Sequence, residues 1–240
     1  NGVYYHPHTL DPELDLVGEV FARGGYETWF LNGHRMASSD LGYGQGIQHD
    51  LDIGGQRKRR LLDANDGALR GVLAALAAEP AKRAFVLANF TLTHEPYTKQ
   101  VSRADVLAFV QRFPASGNGV SAAELERWWD FYEQHRLELQ WNLPPTAAAL
   151  DLSAADLAAL ARVLEVVYRT SVVELDRVVG ELIDAIRAAG LWDDTVFCFT
   201  ADHGEALYRE GLQFHWTHGL QLAPEILSVP WLLRAPGVVS

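Results

Sequence analysis

Apolar residues recur along the chain with two different periods, which together predict an α/β protein. Spacings of three or four residues predict a helix over 15–23, a second that follows Asn65 or Asp66 and ends at Pro80, and a long one over 153–190. Short apolar or alternating runs predict strands at 26–31, 84–92, 196–199 and 229–233, with the last three buried. Strands that alternate with helices favour a mostly parallel central sheet with helices on both faces.

Residues 101–150 predict helices instead of strands. Capping-box sequences begin at Ser102 and at Ser121, so two helices are expected, separated by residues 114–119. The second, within 121–139, is rich in aromatic side chains, namely Trp128, Trp129, Phe131 and Tyr132. Such a cluster most often packs on the body of its domain, and a lid over a crevice or a dimer surface is the alternative.

Composition narrows the class of protein. A chain of 240 residues, 48% hydrophobic and 21% charged, suits one large globular domain. The net charge of -11 argues against a nucleic-acid-binding protein, because phosphate neutralisation needs a basic face. No apolar run approaches the roughly 20 residues of a membrane helix, so we expect a soluble protein without a membrane segment.

A single cysteine excludes an intrachain disulfide and leaves the compartment open between the cytoplasm and a periplasmic or secreted location. Cys198 lies within an apolar run and is expected to be a small core residue. Histidines at His6 and His8 and the basic run at 57–60 are expected in solvated loops.

The strongest candidate for chemistry is the stretch 195–205, which reads Thr-Val-Phe-Cys-Phe-Thr-Ala-Asp-His-Gly-Glu. Ligands bind at the carboxyl ends of parallel strands, so Asp202 and His203 are expected at the rim of the sheet. A carboxylate beside an imidazole makes half of a metal site. The alternative is a simple turn in which Asp202 accepts backbone hydrogen bonds and His203 faces solvent. Gly204 allows a tight turn after them.

The residues around this stretch resemble the sulfatase branch of the alkaline phosphatase superfamily. In that family a helix with the pattern D-x-x-V-G leads into a strand ending in T-x-D-H-G-E, followed by H-G and by V-P-x-x-x-R-x-P-G. The matching residues are Asp176, Val179, Gly180, Leu182, Ile186, Gly190, Leu191, Asp194, Thr195, Asp202, His203, Gly204, Glu205, His218, Gly219, Val229, Pro230, Arg234, Pro236 and Gly237. Upstream, residues 94–97 resemble the family's H-x-P-Y segment, and residues 21–28 resemble its L-x-x-x-G-Y-x-T segment.

This resemblance implies an alkaline-phosphatase-like fold, a site and a cofactor. It implies one divalent metal ion, Ca, Mn or Zn, and the imidazole of His203 favours Mn or Zn because nitrogen is a poor calcium ligand. The roles implied are metal ligation by Asp202 and His203, catalysis by His94 and His218, and substrate binding by His34 and His215. His215 is also the alternative to His218. For His94 and His34 the competing interpretation is an ordinary loop histidine.

The function implied is metal-dependent hydrolysis of sulfate, phosphate or phosphonate monoesters, with a small-molecule ester as substrate. A phosphoethanolamine- or phosphoglycerol-type transferase and a non-catalytic domain that keeps the fold are the alternatives. We expect one catalytic domain over 1–240, with 101–150 as a helical insertion. The sequence does not determine the oligomeric state, and a homo-oligomer is possible.

The family's nucleophile lies in a Cys/Ser-x-Pro-x-Arg segment that this sequence does not contain. Residues 1–3, Asn-Gly-Val, resemble the stretch that follows that nucleophile. We therefore expect the domain to be incomplete at its N terminus and its C terminus, and the chain to be inactive by itself.

Overall fold

The computed structural model describes residues 9–34, 37–52, 68–79, 81–141, 143–219 and 221–238. Within these ranges the elements, in chain order, are α1 Val17–Arg23, β1 Glu27–Asn32, β2 His49–Asp52, α2 Ala68–Ala78, β3 Ala84–Asn89, α3 Arg103–Arg112, α4 Ala122–Trp141, α5 Leu143–Ala149, α6 Ala154–Ala188, β4 Phe197–Thr200, α7 Pro224–Leu227 and β5 Trp231–Arg234. This order of helices and strands confirms the α/β class.

Three helices begin where capping boxes predict them. Ser102 accepts a hydrogen bond from the Asp105 amide at 3.2 Å, while the Asp105 carboxylate accepts one from the Ser102 amide at 2.7 Å. The boxes that begin at Ser121 and Ser153 make the same reciprocal pairs ahead of α4 and α6. Each box pairs backbone groups that the first helical turn leaves unsatisfied, which explains why sequence alone located these starts.

The chain divides into two compact units. Unit 1 comprises the described parts of residues 1–91 and 175–193, and unit 2 those of 92–174 and 194–240. The prediction of one catalytic domain with an insertion at 101–150 stays a prediction.

Unit 1 contains a parallel three-stranded sheet in the order β2-β1-β3. Trp29 of β1 is in register with His49 of β2 and with Val86 of β3. β1 is central, and its Phe30 and Leu31 are buried. The four-residue strand β2 was not predicted from the sequence.

Unit 2 is organised around an aromatic and aliphatic core. Trp128, Trp129 and Tyr132 of α4 pack there with Leu160 and Val167 of α6. The expectation that the aromatic helix packs on the body of its domain is confirmed.

The strands predicted at 196–199 and 229–233 are present as β4 and β5, but the prediction that they are buried was wrong. β4 pairs with β5, antiparallel, in a two-stranded sheet, with Phe197 opposite Arg234. Cys198 is exposed, so the expectation that it is a core residue was wrong, and Trp231 is 66% exposed. The assumption that Asp202 and His203 follow a strand of the parallel sheet is also corrected: among the described residues, β4 is hydrogen-bonded to an antiparallel partner.

The prediction for residues 84–92 was partly wrong, since β3 ends at Asn89 and its Val86 and Leu87 are exposed. The histidines at positions 6 and 8, the basic run at 57–60 and the helix cap at Asn65 or Asp66 lie outside the described residues. In the ranges that are described, every helix is too short or too polar to span a bilayer.

Candidate active site

Three histidines from two distant segments of the sequence meet in unit 2. The rings of His203 and His218 stack with 4.0 Å between centroids and 23° between planes. The ring of His94 meets that of His218 edge-on at 4.8 Å. We call His94, His203 and His218 the histidine cluster.

Gly204 fixes the backbone that carries His203. Its amide donates a hydrogen bond of 2.7 Å to the carbonyl of Ile226 in α7. A Cβ at this position would lie 1.9 Å from the Glu225 carbonyl oxygen, so no side chain fits. The glycine at this point of the motif permits a close backbone approach, and its φ lies outside the positive region.

Asp202 and His203 face each other at the end of this segment. The Nδ1 atom of His203 lies 2.7 Å from the Gly204 carbonyl oxygen. A carbonyl can only accept, so Nδ1 carries the proton and Nε2 presents its lone pair. That Nε2 is 3.6 Å from Oδ2 of Asp202, whose side chain is 88% exposed. The Asp202 Oδ1 atom also accepts a hydrogen bond from the His203 amide at 3.0 Å, as the turn interpretation requires.

These two side chains can form part of a metal site, although they do not complete one. Two ligands about 2.1 Å from a tetrahedral ion lie about 3.4 Å apart, close to the separation of Nε2 and Oδ2. The hydrogen bond from Nδ1 to a carbonyl is the second contact that metal-ligating histidines usually make. Among the described residues, however, no group of three or more His, Cys, Asp or Glu side chains is placed to hold an ion.

Glu205 holds the ring of His218. Its Oε2 atom is 3.4 Å from Nδ1 of His218, and the Glu205 side chain is 6% exposed. Burial opposes protonation of His218, but the hydrogen bond and charge of Glu205, with the charges of Glu95 and Asp202, raise the pKa of His218 above its ordinary value. Glu205 therefore favours a proton on Nδ1 and a partly charged ring.

The second oxygen of Glu205 is in an unusual environment. Oε1 is buried and has no hydrogen-bond partner among the described residues, and the same holds for the hydroxyl of Tyr97. Burial, followed by the charge of Glu205, raises the pKa of Tyr97 well above its ordinary value, so this tyrosine stays a neutral phenol. The carboxylate is thus surrounded by low-dielectric material, where its interaction with His218 is strengthened.

His94 lies in the loop that follows β3. Its Nδ1 is 2.5 Å from the Glu95 carbonyl oxygen, and its own carbonyl accepts a hydrogen bond of 3.0 Å from Nε2 of Gln100. As at His203, the carbonyl oxygen can only accept, so the proton of this contact is on Nδ1.

The two predicted substrate-binding histidines differ in their local surroundings. His34 follows β1 in unit 1, where its amide donates to Oδ1 of Asn32 at 2.9 Å. His215 is 3% exposed and packs against Tyr208 and Trp216, with ring centroids 5.0 and 5.9 Å away. Burial lowers the pKa of His215 below its ordinary value, despite a hydrogen bond with the Leu212 backbone.

Four residues in contact with the histidine cluster or its loops received no role from the sequence. Glu205 was part of the matched motif, which is the signal that could have identified it. Glu95 adjoins His94, but a carboxylate in a turn is common. Gln100 and Gln140 carried no signal, because glutamine is frequent on surfaces and the Glu95 and Trp216 partners of Gln140 are distant in sequence.

Three curated relatives match parts of the chain. A low-salt glycan biosynthesis sulfotransferase from Haloferax volcanii is 41% identical over 59 residues, 24% of this chain and 15% of its own length. A choline-sulfatase from Rhizobium meliloti is 34% identical over 71 residues, 30% of this chain and 13% of its own. An endo-4-O-sulfatase from Bacteroides thetaiotaomicron is 32% identical over 75 residues, 30% of this chain and 14% of its own.

A solved phosphonate monoester hydrolase from Silicibacter pomeroyi aligns with 95% of this chain at a TM-score of 0.47 and 17% identity, and the chain spans 54% of its length. The Sulfatase family model matches residues 1–240, the whole of the sequence. The histidine cluster thus lies in a chain that belongs to the sulfatase family, which confirms the resemblance to this branch of the alkaline phosphatase superfamily.

Proposed function

We propose that this chain carries part of the active site of a metal-dependent hydrolase of sulfate monoesters, or of phosphate or phosphonate monoesters. The strongest support is the contact among the rings of His94, His203 and His218, because the family resemblance by itself gives a role to all three residues. Two matching relatives are named as sulfatases, which favours sulfate over phosphate.

His218 is the proposed proton donor to the leaving oxygen. Glu205 favours a proton on Nδ1 and raises the pKa of the ring above its ordinary value, which favours a second proton on Nε2. A group that is partly protonated at the working pH suits general acid catalysis. His94, whose ring touches that of His218, is the proposed second contact to the ester.

Asp202 and His203 are the proposed metal ligands, and the remaining ligands would come from outside the described residues. One carboxylate and one imidazole favour Mn or Zn over Ca. When bound, such an ion would polarise the ester and lower the pKa of the nucleophile.

His34 and His215 are weaker proposals for contacts to the substrate. His34 lies in a loop, where a side chain can turn toward a ligand. His215 would need an opening in its core packing before it could reach one.

Turnover of chromogenic esters by the full-length protein tests the proposal. With 4-nitrophenyl sulfate, 4-nitrophenyl phosphate and a 4-nitrophenyl phosphonate, His218→Asn should lower kcat about 10²- to 10⁴-fold. His135→Asn on α4 is the matched control and should retain activity. The 240-residue chain alone should give no turnover, because the described residues provide two metal ligands and no activated nucleophile. An active isolated chain, or a fully active His218→Asn variant, would contradict these assignments.

A group transfer to an acceptor other than water is the second candidate. One matching relative is named as a sulfotransferase, and the phosphoethanolamine- and phosphoglycerol-type transferases belong to the same alternative. A hydrolase transfers the sulfate or phosphate group to the oxygen of water, whereas a transferase transfers it to the oxygen of an acceptor molecule. Adding an alcohol acceptor to the assay and separating the products distinguishes them: a transferase yields the new ester, and a hydrolase yields free sulfate or phosphate. Absence of both from the full-length protein would favour the non-catalytic alternative.

A further inference from the structure

Helix α4 reaches the loops that carry His94 and His218 through one buried side chain. Gln140 is 2% exposed, although its side chain is polar. Its Nε2 atom lies 2.6 Å from the carbonyl oxygen of Trp216 and 3.2 Å from Oε2 of Glu95. The first partner precedes His218 by two residues, and the second adjoins His94. One amide group therefore joins the two loops.

A second side chain of α4 strengthens the connection to Glu95. Nη1 of Arg136, one helical turn before Gln140, is 3.0 Å from the same Oε2 atom. It is also 3.4 Å from Oε1 of Gln140. Both members of the Arg136–Glu95 pair are mostly buried, so the pair is less screened than one on the surface. Glu95 is thus held by two donors from the same face of α4.

The Trp216 end of the connection holds an unfavourable backbone conformation. Trp216 is fully buried and has φ of 53°, a left-handed value that bulky residues rarely adopt. Such a residue persists only where its surroundings fix it. Tyr132 of α4 packs edge-on against the indole, with 6.2 Å between centroids, and Gln140 holds the carbonyl. Both contacts come from the same helix.

We propose that Gln140, supported by Arg136, is a positioning residue that sets the relative placement of the His94 and His218 rings. The inference rests on the proposed function, in which both rings act on the ester. It gives α4 a role in catalysis without any contact between α4 and substrate. Reacting groups tolerate little displacement, so release of either loop should lower the rate more than it weakens substrate binding.

The test compares Gln140→Met with Gln134→Met in the full-length protein. Methionine has a similar size but no N–H donor, and Gln134 is an exposed glutamine on the same helix. Gln140→Met should lower kcat by about tenfold or more with little change in KM, while Gln134→Met should match wild type. In ¹H–¹⁵N spectra of histidine-labelled protein, the His94 and His218 resonances should move in Gln140→Met and that of His135 should not.

Two outcomes would overturn the inference. One is a Gln140→Met protein with a lower melting temperature but unchanged kcat and unchanged histidine resonances, which would show a purely structural glutamine. The other applies if Gln140→Met does not fold. In that case Glu95→Gln, which weakens the ion pair to Arg136, replaces it. Unchanged kcat and unchanged histidine resonances in Glu95→Gln would then contradict the proposed positioning of the His94 and His218 rings. A different result would separate this inference from the proposed function. If wild-type protein does not turn over the esters but the histidine resonances still move in Gln140→Met, the proposed function is rejected and the structural link between Gln140 and the two loops remains.

Discussion

Backbone carbonyls determine which ring nitrogen of His94 and of His203 carries a proton. In both residues Nδ1 faces the carbonyl of an adjoining residue, Glu95 and Gly204 respectively. In both residues the proton of this contact is therefore on Nδ1. The choice of nitrogen follows from local backbone geometry, which a sequence motif does not display.

His215 gives a prediction about the pH dependence of stability. Burial lowers its pKa in the folded state, so the folded protein resists protonation more than the unfolded chain does. Above the unfolded-state pKa of about 6.5, His215 is neutral in both states and does not reduce the free energy of unfolding. As pH drops below that value the unfolded chain binds the proton more readily, so the stability of the folded protein falls. His215→Gln should lose less stability than wild type between pH 7.5 and pH 5.5, as measured by urea unfolding.

The partly buried His135→Gln variant serves as the control for removing a histidine and should follow wild type. The raised pKa of His218 acts in the opposite direction, because its stabilising effect is lost as pH rises. Because His218 is present in wild type and in both variants, its contribution cancels when their pH profiles are compared. Identical pH profiles for wild type and His215→Gln would show that His215 titrates normally in the folded protein.

At the scale of elements, α7 and the segment after β4 approach each other through Gly204. The close contacts are to the backbone oxygens of Glu225 and Ser228, at 1.9 and 2.9 Å from a hypothetical Cβ. Backbone atoms cannot turn aside as a flexible side chain can, so any larger residue must push α7 away. The histidine cluster depends on this contact because His203 directly precedes the glycine.

Gly204→Ala should therefore destabilise the protein by about 1–3 kcal/mol and disturb the stacking of His203 on His218. Gly180→Ala is the matched control: Gly180 lies inside α6 with nothing within 4 Å of a Cβ, and alanine there should stabilise by about 0.5–1 kcal/mol. Chemical unfolding of both variants measures the difference. A neutral Gly204→Ala would show that α7 can move freely.

At the scale of the whole molecule, the metal site needs more than the described residues offer. The proposed ligands Asp202 and His203 would supply two donors, whereas the ions considered take four or more. The exposed carboxylate of Asp202 is available for such a site without any rearrangement of the core.

Asp202→Ala should lower the metal affinity of the full-length protein by more than about tenfold, since it removes a proposed direct ligand. Metal content after dialysis, measured by inductively coupled plasma mass spectrometry, provides the readout. Asp184→Ala removes an exposed aspartate of α6 that pairs with Arg187 and should leave the metal content unchanged. Equal metal content in both variants would remove Asp202 from the site.

The sequence by itself determined the features that depend on short stretches of chain. Helix starts at Ser102, Ser121 and Ser153 were predicted because a capping box is formed by residues three apart. The family, the α/β class and the candidate residues Asp202, His203 and His218 followed from motifs of the same local kind.

Only the tertiary structure decided which distant residues meet. The strand predicted at 196–199 was expected to be buried in a parallel sheet, but an apolar run does not reveal its partner, and β4 pairs with the antiparallel β5. The contact of His94 with His218, and the reach of Gln140 to both of their loops, join segments far apart in the chain. Such contacts arise from the packing of whole helices and strands. Many core residues together determine that packing, so the residues in contact do not predict it by themselves.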